Sequence, residues 1–344
     1  MFTSEDQLDD RLTTPSSALT DDLRGGRGTH GDIVVLGAGG KMGPTLCRLA
    51  RRALDAAGRA DDRVFAVSRW SDAGAARRLA SHGVETVAFD LLGEADLCGL
   101  PDAPNVVFMV GSKFGSAARP DLAWAVNATL PDRVARRYAD ARIVALSTGN
   151  VYPLVPLASG GSREADAPGP VGEYAMSCLG RERVLSYAAA TRGTPIALLR
   201  LNYAIDLRYG VLADIAQTVL AGEPVDIRTP LVNVVWQGYA NEVILRALGH
   251  ATAPEPFVLN LTGPEATSVR AVATRFAERF GTMAAFSGEE GPTALLSDAT
   301  ACHRLFGYPP VPVGTLIAWQ ADWLAAGLPM LGKPTKFTAR DGSF

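Results

Sequence analysis

The sequence predicts an α/β fold, a parallel sheet wound by helices on both faces. Three observations carry this. Strand-length apolar runs alternate with helical stretches along most of the chain. The runs lack the every-second-residue polarity of a half-exposed strand, as expected when both faces are buried. The first run ends in a glycine cluster that opens a helix, LGAGGKMG.

Taken in order, residues 1–30 form an N-terminal extension with two short amphipathic helices. Phe2, Leu8 and Leu12 lie on the first and Leu19 and Leu23 on the second. Thr14-Pro15 separates them and Gly25-Gly26 ends the second. From residue 32 the alternation begins. DIVVLGAGG, RVFAVSR, VETVAFDLL, NVVFMVG, ARIVALSTG, TPIALLRLN and PFVLNLTG read as strands, and KMGPTLCRLARRALDAAG and AGAARRLASHG as helices. Residues 153–172 are a Pro/Gly/Ser-rich loop long enough to suggest a lid. No internal repeat is visible. The expected division is a dinucleotide-binding domain of residues 31–204 and 232–262. An interleaved substrate lobe takes 205–231 and 263–330, and a tail covers 331–344.

Composition excludes several classes. The chain has 344 residues, 47% hydrophobic and 20% charged, with a net charge of −3, ample for a large core. No basic stripe suits nucleic acid. No apolar run approaches the ~20 residues of a membrane span, and the acidic, polar N-terminus does not read as a secretory signal. Cys47, Cys98, Cys178 and Cys302 show no metal-ligand spacing. A reduced, cytoplasmic protein without metal is expected. Of 33 basic residues only four are lysines, Lys41, Lys113, Lys333 and Lys336, so a lysine required by chemistry has few places to be.

The glycine cluster narrows the class to a Rossmann-type doubly wound sheet with a smaller C-terminal lobe. Gly37, Gly40 and Gly43 give GxxGxxG and Gly39 adds a GxG. Such a turn lets backbone amides reach a pyrophosphate at a helix N-terminus. Gly37, Gly39, Gly40, Lys41, Met42 and Gly43 are the candidate contacts. The second strand ends with Ser68 and Arg69 where a carboxylate would favour NAD. A hydroxyl and a guanidinium suit a 2′-phosphate, so NADP is preferred over NAD. Asp90 and Leu91, read as ending the third strand, are candidate adenine contacts.

Several motifs, in serial order, resemble the extended short-chain dehydrogenases/reductases, also called NAD(P)-dependent epimerase/dehydratases. The glycine turn is followed by Asn127 in AWAVNATLP, by STGNVYP, by GEYAMSCLGRE and by Arg200, Asn202 and Tyr203. VNVVWQGYANEVILRAL and SDATACHRLFGYPPVPVGTLIAWQADWL complete the match. The resemblance implies Tyr174 as the proton donor or acceptor and Thr148 as the group binding the substrate oxygen. It implies a lysine four residues after the tyrosine, yet Cys178 stands there. A neutral thiol offers no cation to lower the phenol's pKa. Lys113, after the fourth strand, is the lysine placed to compensate. Gly149 and Asn150 replace the acidic pair that sugar-nucleotide dehydratases of the family carry after the threonine, which argues against that elimination.

Asn150, Asn202, Arg208, Tyr209 and Gln237 are the candidate substrate contacts, with Arg208 suited to a carboxylate or phosphate. The reading is an NAD(P)-dependent oxidoreductase or epimerase acting on a hydroxyl or ketone of a sugar, sugar acid or nucleotide sugar. The alternatives are a non-catalytic dinucleotide-binding sensor or scaffold, and a non-redox lyase or isomerase. The resemblance also implies a homodimer.

Overall fold

The structure, a computed structural model, describes residues 2–25, 29–93 and 96–343. Seven strands form one parallel sheet: β1 (Ile33–Leu36), β2 (Val64–Ser68), β3 (Glu85–Ala88), β4 (Asn105–Phe108), β5 (Arg142–Thr148), β6 (Ile196–Leu201) and β7 (Phe257–Leu261). They correspond to the seven apolar runs. Their order is β3-β2-β1-β4-β5-β6-β7, with Val35 paired to Ala66 on one side and Val107 on the other. The order reverses between β1 and β4, and in such sheets ligands bind outside the strand ends at that point.

Helices α1 (Glu5–Leu12) and α2 (Ser17–Arg24) precede the sheet. After β1 and β2 come α3 (Gly43–Ala56) and α4 (Ala73–Ala80). A short α5 (Pro120–Trp124) runs through a π-helical turn at Ala125–Thr129 into α6 (Leu130–Arg137), and α7 (Gly172–Arg192) follows β5. Between β6 and β7 lie α8 (Val211–Leu220) and α9 (Gln237–Arg246). Last are α10 (Val269–Phe280), α11 (Thr300–Phe306) and α12 (Val313–Ala325).

Alternate residues of the same strands feed two cores. Val35, Val107 and Val144 pack with Leu46, Leu49, Val243 and Ile244 of α3 and α9. Val34, Phe108 and Ile143 pack with Val134 and Leu185 of α6 and α7 on the opposite face. A third core joins α8, α10 and α12 through Leu212, Ile215, Phe276 and Trp323. Each such buried side chain contributes about 1.5–3 kcal/mol.

The N-terminal extension is a brace rather than an appendage. Leu8 and Leu12 of α1 are buried in the α8–α10–α12 core, and Leu19 and Leu23 of α2 in the core beneath α3. Phe2 meets the Trp319 ring edge-on at 5.1 Å. Thr14-Pro15 does separate the two helices, and Gly25 caps the second; Gly26 lies outside the described residues.

The 153–172 loop is pinned rather than lid-like. Ser162 donates its amide to Leu296 O, and the Glu164 carboxylate accepts the Asn260 amide at 2.8 Å. The C-terminal segment lies against the loops after β1 and β4, where Lys41 donates to Lys333 O and Lys113 to Thr335 O at 3.2 and 3.3 Å.

Candidate active site

The glycine turn leaves β1 in a conformation that side chains would obstruct. Gly37 has φ +91°, which an L side chain rarely adopts, and its amide bonds Val67 O. A Cβ on Gly43 would stand 2.2 Å from Ala38 O, and one on Gly39 would stand 2.4 Å from Ser68 Oγ. No side chain caps α3 at Met42, so its first amides keep their capacity for an anion. A Cβ-free cradle at a helix N-terminus fits a dinucleotide pyrophosphate. Ser68 is half-buried against this turn, while Arg69 and Asp90 are exposed. The third strand is shorter than its sequence reading. It ends at Ala88, and Asp90 and Leu91 belong to the following turn, where Asp90 Oδ1 accepts the Leu92 amide. Leu91 is buried in the α6–α7 core.

A cavity of about 250 Å³ opens beside the turn. Lys41, Lys113, Thr148, Tyr174, Asn202 and Tyr209 are among the residues that line it, with Asn150 and Thr335. Thr148 ends β5. Its Oγ1 accepts the Asn150 amide at 3.2 Å and Nδ2 at 3.0 Å. Tyr174 stands in the first turn of α7, its phenol hydrogen-bonded to the Thr148 hydroxyl and the Cys178 thiol. Burial pushes the Tyr174 pKa far above its ordinary value, with the neighbouring acidic group of Cys178 adding to it. The Thr148 bond and the Arg181 guanidinium pull it back. Burial also raises the Cys178 thiol, so it is neutral at ordinary pH.

Lys113 follows β4 and reaches the same cavity. Its Nζ lies 5.8 Å from the Tyr174 ring centre and 5.7 Å from that of Phe114, and it donates to Thr335 O at 3.3 Å. Burial, then the Lys41 charge, lowers its pKa to about 8. Lys41 lies 4.7 Å from the Tyr209 ring centre and donates to Lys333 O at 3.2 Å.

Sequence reasoning missed Arg181. It stands one helical turn beyond Cys178 on the face that carries Tyr174, and that spacing was the available signal. Its buried guanidinium donates to Val110 O and Asn127 Oδ1, both at 2.8 Å, and to Leu146 O. Asn127, buried in the π-helical turn, also donates to Ser112 O and Ser177 Oγ at 3.0 Å. Together they fix the loop carrying Lys113 to the helix carrying Tyr174. Behind them Arg200 holds Glu182 through two bonds of 3.0 and 2.8 Å, and Ser147 donates to the same carboxylate.

Two candidate substrate contacts lie elsewhere. The Arg208 guanidinium pairs with Asp206, Asp9 and Glu5 at 2.6, 2.9 and 3.4 Å and faces the groove beside Gly39 and Gly40. Three carboxylates already occupy the fork meant for an anion. Gln237 is fully buried, accepting the Tyr209 hydroxyl and donating to Thr45 Oγ1 at 2.8 Å, so it positions Tyr209 from behind. Trp236 meets the Trp319 ring edge-on at 5.7 Å. No helix among the described residues is long and apolar enough to cross a membrane.

The comparisons fit this fold. No curated protein matches the sequence. Among solved structures, UDP-glucose 4-epimerase of Thermotoga maritima superposes with a TM-score of 0.67 at 16% identity, covering 86% of this chain and 99% of that one. UDP-glucuronic acid 4-epimerase of Bacillus cereus, in complex with UDP-glucuronic acid and NAD, gives 0.70 at 18% identity over the same shares. An epimerase of Methanothermobacter thermautotrophicus gives 0.71 at 17%, covering 91% of this chain and 96% of that one. The model of the NAD dependent epimerase/dehydratase family matches residues 33–225. With the glycine cradle, the sheet order and the tyrosine helix in their places, a match over more than half its length means that the chain belongs to the NAD-dependent epimerase/dehydratase family.

Proposed function

We propose that the protein is an NAD(P)-dependent epimerase or oxidoreductase that acts at a hydroxyl or ketone of a sugar-type substrate, with Tyr174 moving the proton. The observation that carries this is the meeting of Thr148, Tyr174 and Lys113 in one cavity beside the glycine turn. A nicotinamide dinucleotide, when bound, supplies the hydride acceptor or donor. The chain's own residues do the rest. Thr148 and Tyr174 hydrogen-bond the substrate oxygen and hold it against the tyrosine hydroxyl. Tyr174, a half-buried protonated phenol, donates its proton as that oxygen becomes a hydroxyl and recovers it in the reverse direction. The positive charge of Lys113, with Arg181 beneath the helix, stabilises the phenolate between the two events.

The substrate class follows the similar solved structures, one holding UDP-glucose and another UDP-glucuronic acid with NAD. A sugar, sugar acid or nucleotide sugar is therefore the class to test. Ser68 and Arg69 support NADP as the preferred dinucleotide, with NAD the alternative. Calorimetric titration of NADP(H) and NAD(H) into cofactor-free protein tests both statements. Tight binding weakened by Lys113→Met supports the rearranged site. Absence of binding by either dinucleotide refutes it and leaves a scaffold.

A homodimer through α5 and α7 belongs to the same proposal. Leu122, Met176 and Tyr187 are exposed on these helices, with Tyr187 at 65%. Light scattering is expected to give twice the 36.2 kDa chain mass, and Tyr187→Glu to halve it.

A further inference from the structure

Two of the chain's four lysines, Lys41 and Lys113, line the same cavity, while Lys333 lies on the adjoining groove with Lys41, and Lys336 on a separate one. Lys41 and Lys333 feel each other's charge, and Lys113 feels those of Lys41 and Lys336. In a chain whose other 29 basic residues (33 minus 4) are arginines, the cavity is lined by two compact, reorientable ammonium groups. Like charges brought together repel, so the arrangement needs an acceptor. Among the acceptors are the neutral main-chain oxygens of Lys333 and Thr335, bonded by Lys41 and Lys113 at 3.2 and 3.3 Å, and the charge of the Asp214 carboxylate acts on both lysines.

Those oxygens belong to the C-terminal segment 331–336. Residues 331–336 have no regular secondary structure, and all but Thr335 are exposed. The stretch is bounded by two residues in the left-handed region, Gly332 at φ +59° and Lys336 at φ +53°, the second without glycine's freedom. It is held at its ends and at one point between. Leu331 donates its amide to Arg208 O, and Phe337 is buried in the α8–α10–α12 core. Thr335 gives both amide and hydroxyl to Asp214, at 2.8 and 2.6 Å.

We infer that residues 332–336 are a displaceable strap over the cavity, and that a substrate bearing a carboxylate or phosphate takes Lys41 and Lys113 from its carbonyl oxygens. Ionic acceptors bind ammonium groups roughly twice as strongly as neutral ones, which gives the exchange its direction. The inference rests on reading this cavity as the substrate site. It puts anion recognition on two lysines instead of Arg208, whose fork is filled.

Hydrogen exchange of the full-length protein tests it, with inorganic phosphate, glycolate and NADPH added separately. Phosphate or glycolate is expected to speed exchange of the 332–336 amides in wild type and in Lys113→Arg, and not in Lys113→Met. Asp214→Asn is expected to speed it about ten-fold with no anion present, the effect of weakening a charge-assisted pair of hydrogen bonds. Unchanged or slower exchange with both small anions overturns the inference. So does opening by NADPH alone, which assigns the lysines to the dinucleotide's phosphates. Opening by small anions in a protein that binds no dinucleotide sustains the strap and sinks the redox reading.

Discussion

The Lys113 ammonium stands 5.8 Å from the centre of the Tyr174 ring, although the two residues sit on different elements. Lys113 is delivered by the loop after β4 and Tyr174 by the first turn of α7, and the Arg181–Asn127 network locks the two together. A cation thus faces the tyrosine from across the cleft, where the expected position four residues along the helix holds a neutral thiol.

Lys113→Met is expected to lower turnover about 100-fold, within the range for losing a group that supports acid–base transfer. Lys113→Arg, which keeps the charge, is expected to retain most of it. Stopped-flow measurement of hydride transfer decides between them; equal rates in all three proteins would remove Lys113 from the mechanism.

The pH dependence follows from the same burial. Lys113 titrates near 8 in the folded chain against an ordinary value of 10.5. Below about 8 it is charged both folded and unfolded, and the full cost of burying that charge weighs against the fold. Between about 8 and 10.5 the unfolded chain binds the extra proton, so this residue's contribution to stability rises with pH. Activity runs the opposite way, because the supporting charge is lost as pH rises through 8. A kcat/KM profile is expected to fall above pH 8 in wild type and to extend higher in Lys113→Arg. An unchanged limb in Lys113→Arg would assign it to another group.

The sheet was legible because its inner strands are buried on both faces, so their apolar runs mark them, while the half-exposed edge strand β3 was read longer than it is. The glycine turn was legible for a steric reason, since Gly43 leaves no room for a Cβ. The present partners of Arg208 and Gln237 were not legible, because sequence shows residue type and not prior engagement. Arg208 meets Asp9 and Glu5 of the N-terminal helix, far away in the chain. The strap was invisible for the same reason. Residues 331–336 carry no periodicity, and their role comes from main-chain oxygens, which every residue has.

Gly43→Ala separates cofactor binding from the rest of the site. Its methyl group would lie 2.2 Å from a backbone oxygen, so the turn must shift instead of a flexible side chain. Overpacking of this kind costs about 1–3 kcal/mol. Calorimetry is expected to show dinucleotide affinity reduced at least about ten-fold with the fold retained by circular dichroism. Unchanged affinity would mean that the turn does not hold the pyrophosphate.

Cys178→Lys asks whether the two cation positions are equivalent. In the wild-type background it adds an ammonium to a pocket that already holds Lys113 and Lys41. Desolvation and repulsion would push both amines toward neutrality, and hydride transfer is expected to slow. In the Lys113→Met background the same substitution restores one cation next to Tyr174, one turn along its helix, and activity is expected to recover at least about ten-fold from the single mutant. The interaction between the two sites, read from the four proteins as a double-mutant cycle, then has opposite sign to either substitution alone. Failure of Cys178→Lys to recover any activity in Lys113→Met would show that Lys113 acts by contact with the substrate and not through its charge on the tyrosine.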